Sequence, residues 1–529
     1  MNRLLKGLVL FLVALSLVFS FCACTQKGEA ASAVEKVTLN KKTLELNAGD
    51  SFTLIASASP TDASQDFVWT SSSSKYATVS ETGLVTVKNT TDDTQTVKIT
   101  ATSKSDSSKK ATCTITVKVK TTVSKIGMIT CGPGENASES VVISWHSPSK
   151  GSYLEYTDAG GSVFSNSVAN ADCNEVLSSA DWADIATHYR CKVVLSGLSP
   201  DSVYKYQIKD ANGTVADTAS FKTAAADTTN FSFMWLSDLH TPSGSSSYIK
   251  RINELISFAK DQTDLDFCLF TGDMVEKGQV YKHWNYWSSN GLLKNMVFAF
   301  LPGNHDYYDH NSKTRTTNAY FMDVCAYPDN NDCNSKSVAD SNYWFIWNKV
   351  LFVCVDSISD EGTKMSSAGT SVSEQKAWFE EVVKANAGKY DYLVFAQHYP
   401  FFKEDNKYCD YGNYDSWYPL FDEYGVDFAL SSDEHAYLRT KPMLNDVATE
   451  LEGGKVKTGT VYVVSDQTEG GAIDSLSNSA SPTAKYAAFN AGGGVAGAYF
   501  TVTSSEMTLH VIGQGGTEYD SVTVVKKDR

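Results

Sequence analysis

Five apolar runs between residues 231 and 430 each stop at the same kind of polar side chain, and this repeated pattern constrains the fold most. The runs cover residues 231–236, 265–270, 296–301, 392–396 and 427–430. Each run has the length and continuous apolar character of a buried parallel strand. Apolar residues at helical spacing follow the first run, at 247–260, as expected for crossover helices. We therefore predict an α/β domain whose strands end at one edge.

The residues that follow these runs carry carboxylate, imidazole or amide groups. They are Asp238, His240, Asp273, Asn304, His305, Asp306, His398, Asp433 and His435. Taken singly, each motif is better explained by a turn, a proline-stopped strand or a capped loop. Together they lie where open α/β sheets bind ligands, and a mixed Asp, His and Asn set suits Zn, Fe or Mn. The set is too large for one ion, so we predict two ions about 3.5–4 Å apart that share a carboxylate.

Residues 1–23 have the pattern of a signal peptide. Two basic residues precede an almost continuous apolar run at 7–21, which is too short for a comfortable membrane span. The run ends in Phe21-Cys22-Ala23-Cys24, and the small residue before Cys24 resembles a bacterial lipoprotein processing site. We predict export to the outer face of the cell membrane, a lipid anchor at Cys24 and a tether at 24–34. The alternative is ordinary cleavage and secretion without a lipid.

Two all-β regions precede the α/β domain. Short alternating strands at 35–120 predict a β-sandwich, and residues 68–86 resemble the bacterial Ig-like domains (group 2), which implies a spacer or a contact with a cell-surface component. Residues 121–227 are again all-β by pattern, with one strand at 141–145. Residues 197–206, Gly-Leu-Ser-Pro-Asp-Ser-Val-Tyr-Lys-Tyr, look like the corner of a fibronectin type III-like sandwich, and the region resembles a purple acid phosphatase N-terminal-like domain. The predicted fold is therefore multidomain, with two all-β sandwiches followed by the α/β domain at 228–529.

Charge and cysteine content narrow the classes of function. The formal net charge of −16 argues against a nucleic-acid-binding face. The 11 cysteines include no Cys-x-x-Cys pair, so a zinc ribbon is not expected. Cys325 and Cys333 flank an Asn/Asp-rich loop and are candidates for a disulfide in an oxidising compartment. Cys268 and Cys354 lie in apolar runs and are interpreted as buried free thiols.

The ordered motifs Asp-x-His, Gly-Asp, Gly-Asn-His-Asp, His and a final His resemble those of the calcineurin-like metallophosphoesterases, especially the branch related to purple acid phosphatases. The resemblance implies a four-layer αββα sandwich and hydrolysis of phosphate esters by a metal-bound hydroxide at a dinuclear site. The implied ligands are Asp238, His240 and His435 for the first ion, Asp273 for both ions, and Asn304 and His398 for the second. His305 would protonate the leaving group or stabilise the transition state, with Asp306 orienting its ring.

Two positions depart from the family pattern. Purple acid phosphatases have an iron-binding Tyr three residues after the bridging Asp, and this chain has Glu276 there, so no purple colour is expected. The family's last motif, Gly-His-x-His, reads here from Ser432 to His435 with Asp433 in place of the first His. We predict that Asp433 binds the second ion and favours Mn or iron. A weak or empty second site is the alternative, and it would favour a cell-surface binding or adhesion protein with an inactive phosphoesterase domain.

Overall fold

The computed structural model divides into two compact units, residues 1–119 and residues 120–529. It describes residues 32–47, 50–88, 95–118, 124–158, 168–170, 172–176, 187–227, 230–242, 247–308, 319–330, 341–358, 370–403, 413–465, 468, 486–490, 496–513 and 515–528. The predicted signal peptide, Cys24 and most of the predicted tether lie outside these ranges. Among the helices that the structure does describe, none has both the length and the apolar character that a bilayer span requires.

The first unit is a β-sandwich. Its strands are β1 (Lys36–Leu39), β2 (Thr43–Asn47), β3 (Ser51–Thr53), β4 (Ala56–Ser59), β5 (Phe67–Ser71), β6 (Ala77–Val79), β7 (Leu84–Val87), β8 (Gln95–Ser103) and β9 (Lys110–Lys118). They form a four-stranded sheet in the order β2-β9-β8-β5, a three-stranded sheet β3-β7-β6 and the pair β1-β4. Alternate residues of β8, such as Val97 and Ile99, are buried against Val85 of β7, as the period-2 pattern predicts.

The second unit begins with another sandwich of two four-stranded sheets. Its strands are β10 (Gly127–Pro133), β11 (Val141–Ser147), β12 (Tyr153–Asp158), β13 (Val168–Asn170), β14 (Asp172–Val176), β15 (His188–Leu195), β16 (Val203–Lys209) and β17 (Val215–Lys222). The sheet orders are β10-β11-β15-β14 and β13-β12-β16-β17. Trp145 of β11 and Tyr206 of β16 fill the space between the sheets. Both predicted all-β sandwiches are therefore present.

Cysteine pairing differs from the prediction. Among the described residues, a disulfide joins Cys173 and Cys191, which face each other across β14 and β15. Cys325 is a buried free thiol, so its predicted pairing with Cys333 is wrong, and Cys333 itself lies outside the described residues. Burial raises the pKa of the Cys325 thiol well above its usual range. Cys268 and Cys354 are buried free thiols, as predicted.

The rest of the second unit is an α/β domain with two mixed sheets. Its strands are β18 (Phe231–Leu236), β19 (Phe267–Thr271), β20 (Val297–Leu301), β21 (Tyr343–Trp347), β22 (Val350–Cys354), β23 (Tyr392–Ala396), β24 (Phe428–Ser431), β25 (Tyr437–Thr440), β26 (Met443–Leu444), β27 (Val447–Ala448), β28 (Val461–Val464), β29 (Tyr486–Asn490), β30 (Ala496–Val502), β31 (Glu506–Gly513) and β32 (Glu518–Val525). Its helices are α1 (Ser247–Gln262), α2 (Tyr281–Trp287), α3 (Leu292–Asn295), α4 (Ala319–Val324), α5 (Thr370–Ala385) and α6 (Tyr414–Tyr424).

The two sheets pack face to face between layers of helix. The first sheet has the order β20-β19-β18-β30-β31-β32 and the second has the order β21-β22-β23-β24-β28-β25-β29. Aromatic rings join them: Phe233 of the first sheet meets Phe352 of the second edge to face at 5.3 Å. Helix α1 buries its apolar stripe on the first sheet, and α5 and α6 cover the second with residues such as Phe379 and Phe421. The four-layer αββα prediction is confirmed.

Candidate metal centre

The carboxyl ends of five strands meet at one place between the two sheets. Strands β18, β19 and β20 are parallel in the first sheet, and β23 and β24 are parallel in the second. The residues after β18, β19 and β24 turn sharply, since five of them have a left-handed backbone with φ between 47° and 72°. These are Asp238, His240, Asp273, Asp433 and His435. Non-glycine residues rarely adopt this conformation, and it is concentrated at functional sites.

The first group of potential ligands consists of Asp238, His240 and His435. The Nε2 atoms of the two imidazoles lie 3.1 Å apart, and Nε2 of His435 lies 3.6 Å from Oδ1 of Asp238. That Oδ1 atom is buried and has no hydrogen-bond partner among the described residues. Burial lowers the pKa of His240 to about 3, so its imidazole is neutral and can offer a lone pair. A cation would satisfy all three groups.

Asp273 lies at the centre of the site. Its Oδ2 atom is 3.6 Å from Nε2 of His240 and 3.5 Å from Nε2 of His398. Its Oδ1 atom accepts a hydrogen bond from the backbone N–H of His305 at 2.8 Å. Burial opposes the charge on Asp273, but the surrounding imidazoles of His398, His305 and His240 hold its pKa well below its usual range. One oxygen is therefore fixed, and the other is shared by both halves of the site.

The second group surrounds His398. Its Nδ1 atom donates to the carbonyl oxygen of Thr271 at 2.8 Å, which leaves Nε2 as the ligand atom. Nε2 lies 2.9 Å from Oδ1 of Asn304 and 3.5 Å from Oδ1 of Asp433. The amide of Asn304 has this orientation because its Nδ2 atom donates to the hydroxyl of Tyr308 at 3.0 Å.

This arrangement requires positive charge at Nε2 of His398, which faces the oxygens of Asp273, Asn304 and Asp433. Burial alone lowers the pKa of His398, but the carboxylates of Asp273 and Asp433 raise it well above its usual range. A metal ion meets the same requirement. The chemistry of the donor set therefore fits a metal ion here as well as at the first group.

The potential ligands form overlapping groups rather than one cluster. In the described part of the chain, three groups have ligand atoms within 4.8 Å of one another: Asp238 with His240 and His435, His240 with Asp273 and His305, and Asp238 with Asp273 and His398. The structure thus brings together the side chains from all five strand ends. It also places Asp433, the residue that departs from the family pattern, beside the second group.

His305 is held differently from our expectation. Its Nδ1 atom lies 3.0 Å from the carbonyl oxygen of Glu276, and its ring meets that of His240 edge to face at 4.2 Å. The carboxylate of Glu276 is 3.6 Å from the same Nδ1 atom. Glu276, rather than Asp306, therefore orients the ring. The side chain of His305 is 16% exposed, so solvent or a substrate can reach it.

Asp306 joins two loops instead. Its carboxylate accepts backbone N–H bonds from Gly303 at 2.8 Å, Asp273 at 2.9 Å and Val275 at 3.2 Å. Burial, together with the nearby charge of Asp273, raises the pKa of Asp306 to about 8. The expectation that Asp306 orients His305 is therefore wrong, because this carboxylate faces backbone amides and ties the loop after β19 to the loop after β20.

Sequence reasoning missed Asp356. This buried residue follows β22, and its carboxylate accepts hydrogen bonds from the hydroxyls of Tyr307 and Ser341 and from the backbone N–H of Ile358. A signal was present, since a sixth apolar run at 350–355 also ends in a carboxylate. It has no His or Asn beside it, and so did not resemble the other five.

Comparison with known proteins identifies the domain that holds this site. Residues 231–437 match the family of the calcineurin-like phosphoesterases. The chain carries a calcineurin-like phosphoesterase domain. Residues 33–115 match the bacterial Ig-like domain (group 2), and residues 129–223 match the purple acid phosphatase N-terminal domain.

Curated proteins and a solved structure are also similar to this chain. Uncharacterized proteins from two Mycobacterium tuberculosis strains are 25% identical over 347 residues, covering 60% of this chain and 62% of their own length. The chain thus spans less than two thirds of these relatives. An uncharacterized metallophosphoesterase-like protein of Bacillus subtilis is 34% identical over 82 residues, or 14% of this chain and 17% of that protein. A purple acid phosphatase from yellow lupin (Lupinus luteus) seeds has the same fold, with a TM-score of 0.63 at 14% identity, covering 93% of this chain and 96% of that chain.

These comparisons confirm the predicted family. The match to the calcineurin-like phosphoesterases at 231–437 follows the matches to a bacterial Ig-like domain and to a purple acid phosphatase N-terminal domain, in the predicted order. The likeness of the second sandwich to fibronectin type III domains stays a prediction.

Gly303 packs where the loops of the phosphoesterase domain meet. A Cβ atom there would lie 2.2 Å from Oδ1 of Asp273, 2.4 Å from the backbone N of Asp273 and 2.7 Å from Cε1 of His398. We expect Gly303→Ala to displace both side chains, lowering turnover and metal affinity about 10–100-fold, as when ligand support is lost. Gly291→Ala is the control, because nothing lies within 4 Å of the added atom. Steady-state kinetics and metal titration of both variants check this, and wild-type values for Gly303→Ala would contradict it.

Proposed function

We propose that this protein is an exported phosphoesterase that hydrolyses phosphate esters at a two-metal site and is held at the outer face of the membrane by a lipid on Cys24. The observation that carries the catalytic part is the position of Asp273. Its Oδ2 atom lies between His240 on one side and His398 on the other, at 3.6 Å and 3.5 Å. A carboxylate placed in this way between two groups of potential ligands would help to hold both ions of a two-metal site.

The other potential ligands would divide between two such ions. Asp238, His240 and His435 would hold one ion, and Asn304, His398 and Asp433 would hold the other. When bound, such ions lower the pKa of water toward neutrality and neutralise the charge that develops during phosphoryl transfer. Identification of the ions as Fe, Mn or Zn needs metal analysis.

His305 would transfer a proton to or from the oxygen of the leaving group. Because a carbonyl oxygen only accepts hydrogen bonds, the contact with Glu276 places a proton on Nδ1 of His305. Nε2 is then the atom that can give a proton to, or take one from, the leaving oxygen. The carboxylate of Glu276, 3.6 Å from the same Nδ1 atom, helps to keep the ring in this orientation.

Metal analysis combined with hydrolysis of a generic aryl phosphate tests this proposal. We expect turnover that depends on added Mn, Fe or Zn, with two ions bound per chain. A protein that binds no more than one ion and has no turnover with any of these metals would show that the proposal is wrong. A panel of monoesters, diesters, nucleotides and phospholipid head groups would then define the substrate.

The second candidate function is a surface-binding or adhesion protein with an inactive phosphoesterase domain. The Ig-like match at 33–115 and Asp433 in place of a family histidine favour it. The contact between Oδ1 of Asp433 and Nε2 of His398, at 3.5 Å, favours the enzyme instead, because it keeps a metal-binding atom in that position.

Asp433→His tests whether this position belongs to the second site. We expect occupancy of the second site at limiting Zn²⁺ to rise in Asp433→His and to fall toward one ion per chain in Asp433→Ala, because imidazole is a preferred zinc ligand. Glu434→Gln is a neighbouring control, since the described ion pair of Glu434 is with Lys403. Equal occupancy in all four proteins, measured by elemental analysis after dialysis, would remove Asp433 from the ligand set.

Labelling with a radioactive fatty acid in a bacterial host tests the lipid anchor. We expect the wild-type protein and Cys22→Ala to carry the label and to sediment with membranes. Cys24→Ala should lose the label, because the processed cysteine is the acceptor. Label on Cys24→Ala would place the lipid on another residue, and no label on the wild type would favour ordinary secretion.

A further inference from the structure

The second group of ligands spans the two sheets. Asn304 follows β20 of the first sheet, and His398 follows β23 of the second. Their ligand atoms, Oδ1 and Nε2, are 2.9 Å apart. Two loops from different sheets can keep such a distance only if other contacts fix one loop against the other.

The dipeptide Asp356-Ser357 contacts both loops. On one side, Oδ2 of Asp356 accepts a hydrogen bond from the hydroxyl of Tyr307, which lies in the 3₁₀ turn that Asn304 caps. On the other side, Oγ of Ser357 accepts the backbone N–H of Tyr399, the residue after His398, at 2.9 Å. Adjacent residues thus connect the Asn304 loop to the His398 loop.

The dipeptide is itself held in place. The backbone N–H of Asp356 donates to Oδ1 of Asn342 at 2.9 Å, and Nε2 of Gln375 on α5 donates to the carbonyl oxygen of Asp356 at 2.7 Å. Asp356 is fully buried, as is Asn342, and Ser357 is nearly so. Buried hydrogen bonds of this kind are stronger than exposed ones and costly to leave unmade. The connection is therefore rigid.

We infer that Asp356 and Ser357 are positioning residues that set the separation of Asn304 and His398 and thereby the affinity of the second metal site. This inference rests on the proposed two-metal function. The two contacts act in series, because one fixes Asn304 to the dipeptide and the other fixes the dipeptide to His398. Loss of either contact should loosen the same pair of ligands.

Titration of the full chain with Mn²⁺ tests this inference in Tyr307→Phe and Ser357→Ala. Each variant loses one contact and keeps every metal ligand. We expect the affinity for the second ion to fall about 10–100-fold, the range for lost outer-shell support, while the affinity for the first ion is unchanged. The double variant should lose no more affinity for the second ion than the single variant with the larger loss. The effects of two substitutions in one coupled network do not add.

Three reference variants show whether a loss of affinity is specific to the second metal site. His435→Ala and Asp433→Ala assign the two binding steps, since they remove one ligand from each site. Tyr206→Phe removes a tyrosine hydroxyl that is nearly as buried, bonded to the carbonyl oxygen of Lys294, and should leave both affinities unchanged. If folded Tyr307→Phe and Ser357→Ala bind the second ion with wild-type affinity, the positioning role is wrong but the two-metal function stands. If the wild-type chain binds only one ion, both the two-metal function and the positioning role are wrong.

Discussion

Asp273→Asn is expected to abolish the binding of two ions and to lower turnover by more than about a hundredfold, beyond the usual effect of losing an outer-shell partner. The substitution is nearly isosteric. An asparagine can still accept the backbone N–H of His305 through Oδ1, as Asp273 does at 2.8 Å. It loses the negative charge and the Oδ2 atom, which His240 and His398 both face. The fold should therefore survive while the shared ligand is lost.

Elemental analysis and steady-state kinetics on the purified full chain check this prediction. Asp217→Asn is a matched control because its carboxylate pairs with Lys294 at the surface, where one ion pair contributes about 1 kcal/mol or less. The control should keep both ions and full turnover. If Asp273→Asn keeps two ions and near-wild-type turnover, then Asp273 does not bridge.

His305→Ala is expected to lower turnover about 10²–10⁴-fold, the usual contribution of a general acid or base, while the metal content is retained. His305 is outside both proposed ligand sets, although one of its ring nitrogens lies near ligand atoms of His240 and Asp273. The loss should be greatest for an alkyl phosphate, whose leaving group needs a proton, and smaller for an aryl phosphate with an acidic phenol.

The comparison of leaving groups separates two roles for His305. A general acid gives a loss that depends on the leaving group, whereas a ligand gives loss of metal and equal loss for all substrates. His510→Ala is the control, since this histidine of β31 pairs with Glu518. If metal content falls in His305→Ala, then the proton-transfer role is misassigned and His305 belongs among the ligands.

The fold and most of the site could be predicted because the information is local and repeated. Each strand end is visible as an apolar run, and parallel strands must deliver their ends to the same edge of a sheet. The chemical likeness of the residues after β18, β19, β20, β23 and β24 then indicated one site. No tertiary contact was needed for that step.

The errors concern contacts that depend on the three-dimensional arrangement. Asp306 follows His305 directly, which suggested a pair, but adjacent residues on a tight turn point in different directions and Asp306 reaches the amide of Gly303 instead. Cys325 and Cys333 are close in sequence, which suggested a disulfide between them. The described disulfide instead joins Cys173 and Cys191, which are paired across two neighbouring strands. Asp356 acts through loops that only the folded chain brings together.

The order of strands in the first sheet also determines when this site can form. Strand β18, which leads into Asp238 and His240, pairs with β19 on one side and with β30 on the other, in the register Phe231 to Val502. Such long-range pairing gives a high contact order and slow folding. A nascent chain that has not yet supplied β30 leaves β18 as an open edge, exposed to association with other chains. The proposed ligands Asp238 and His240 would therefore gain their full support only once β30 has been synthesised, although the last proposed ligand, His435, precedes β30 in the chain.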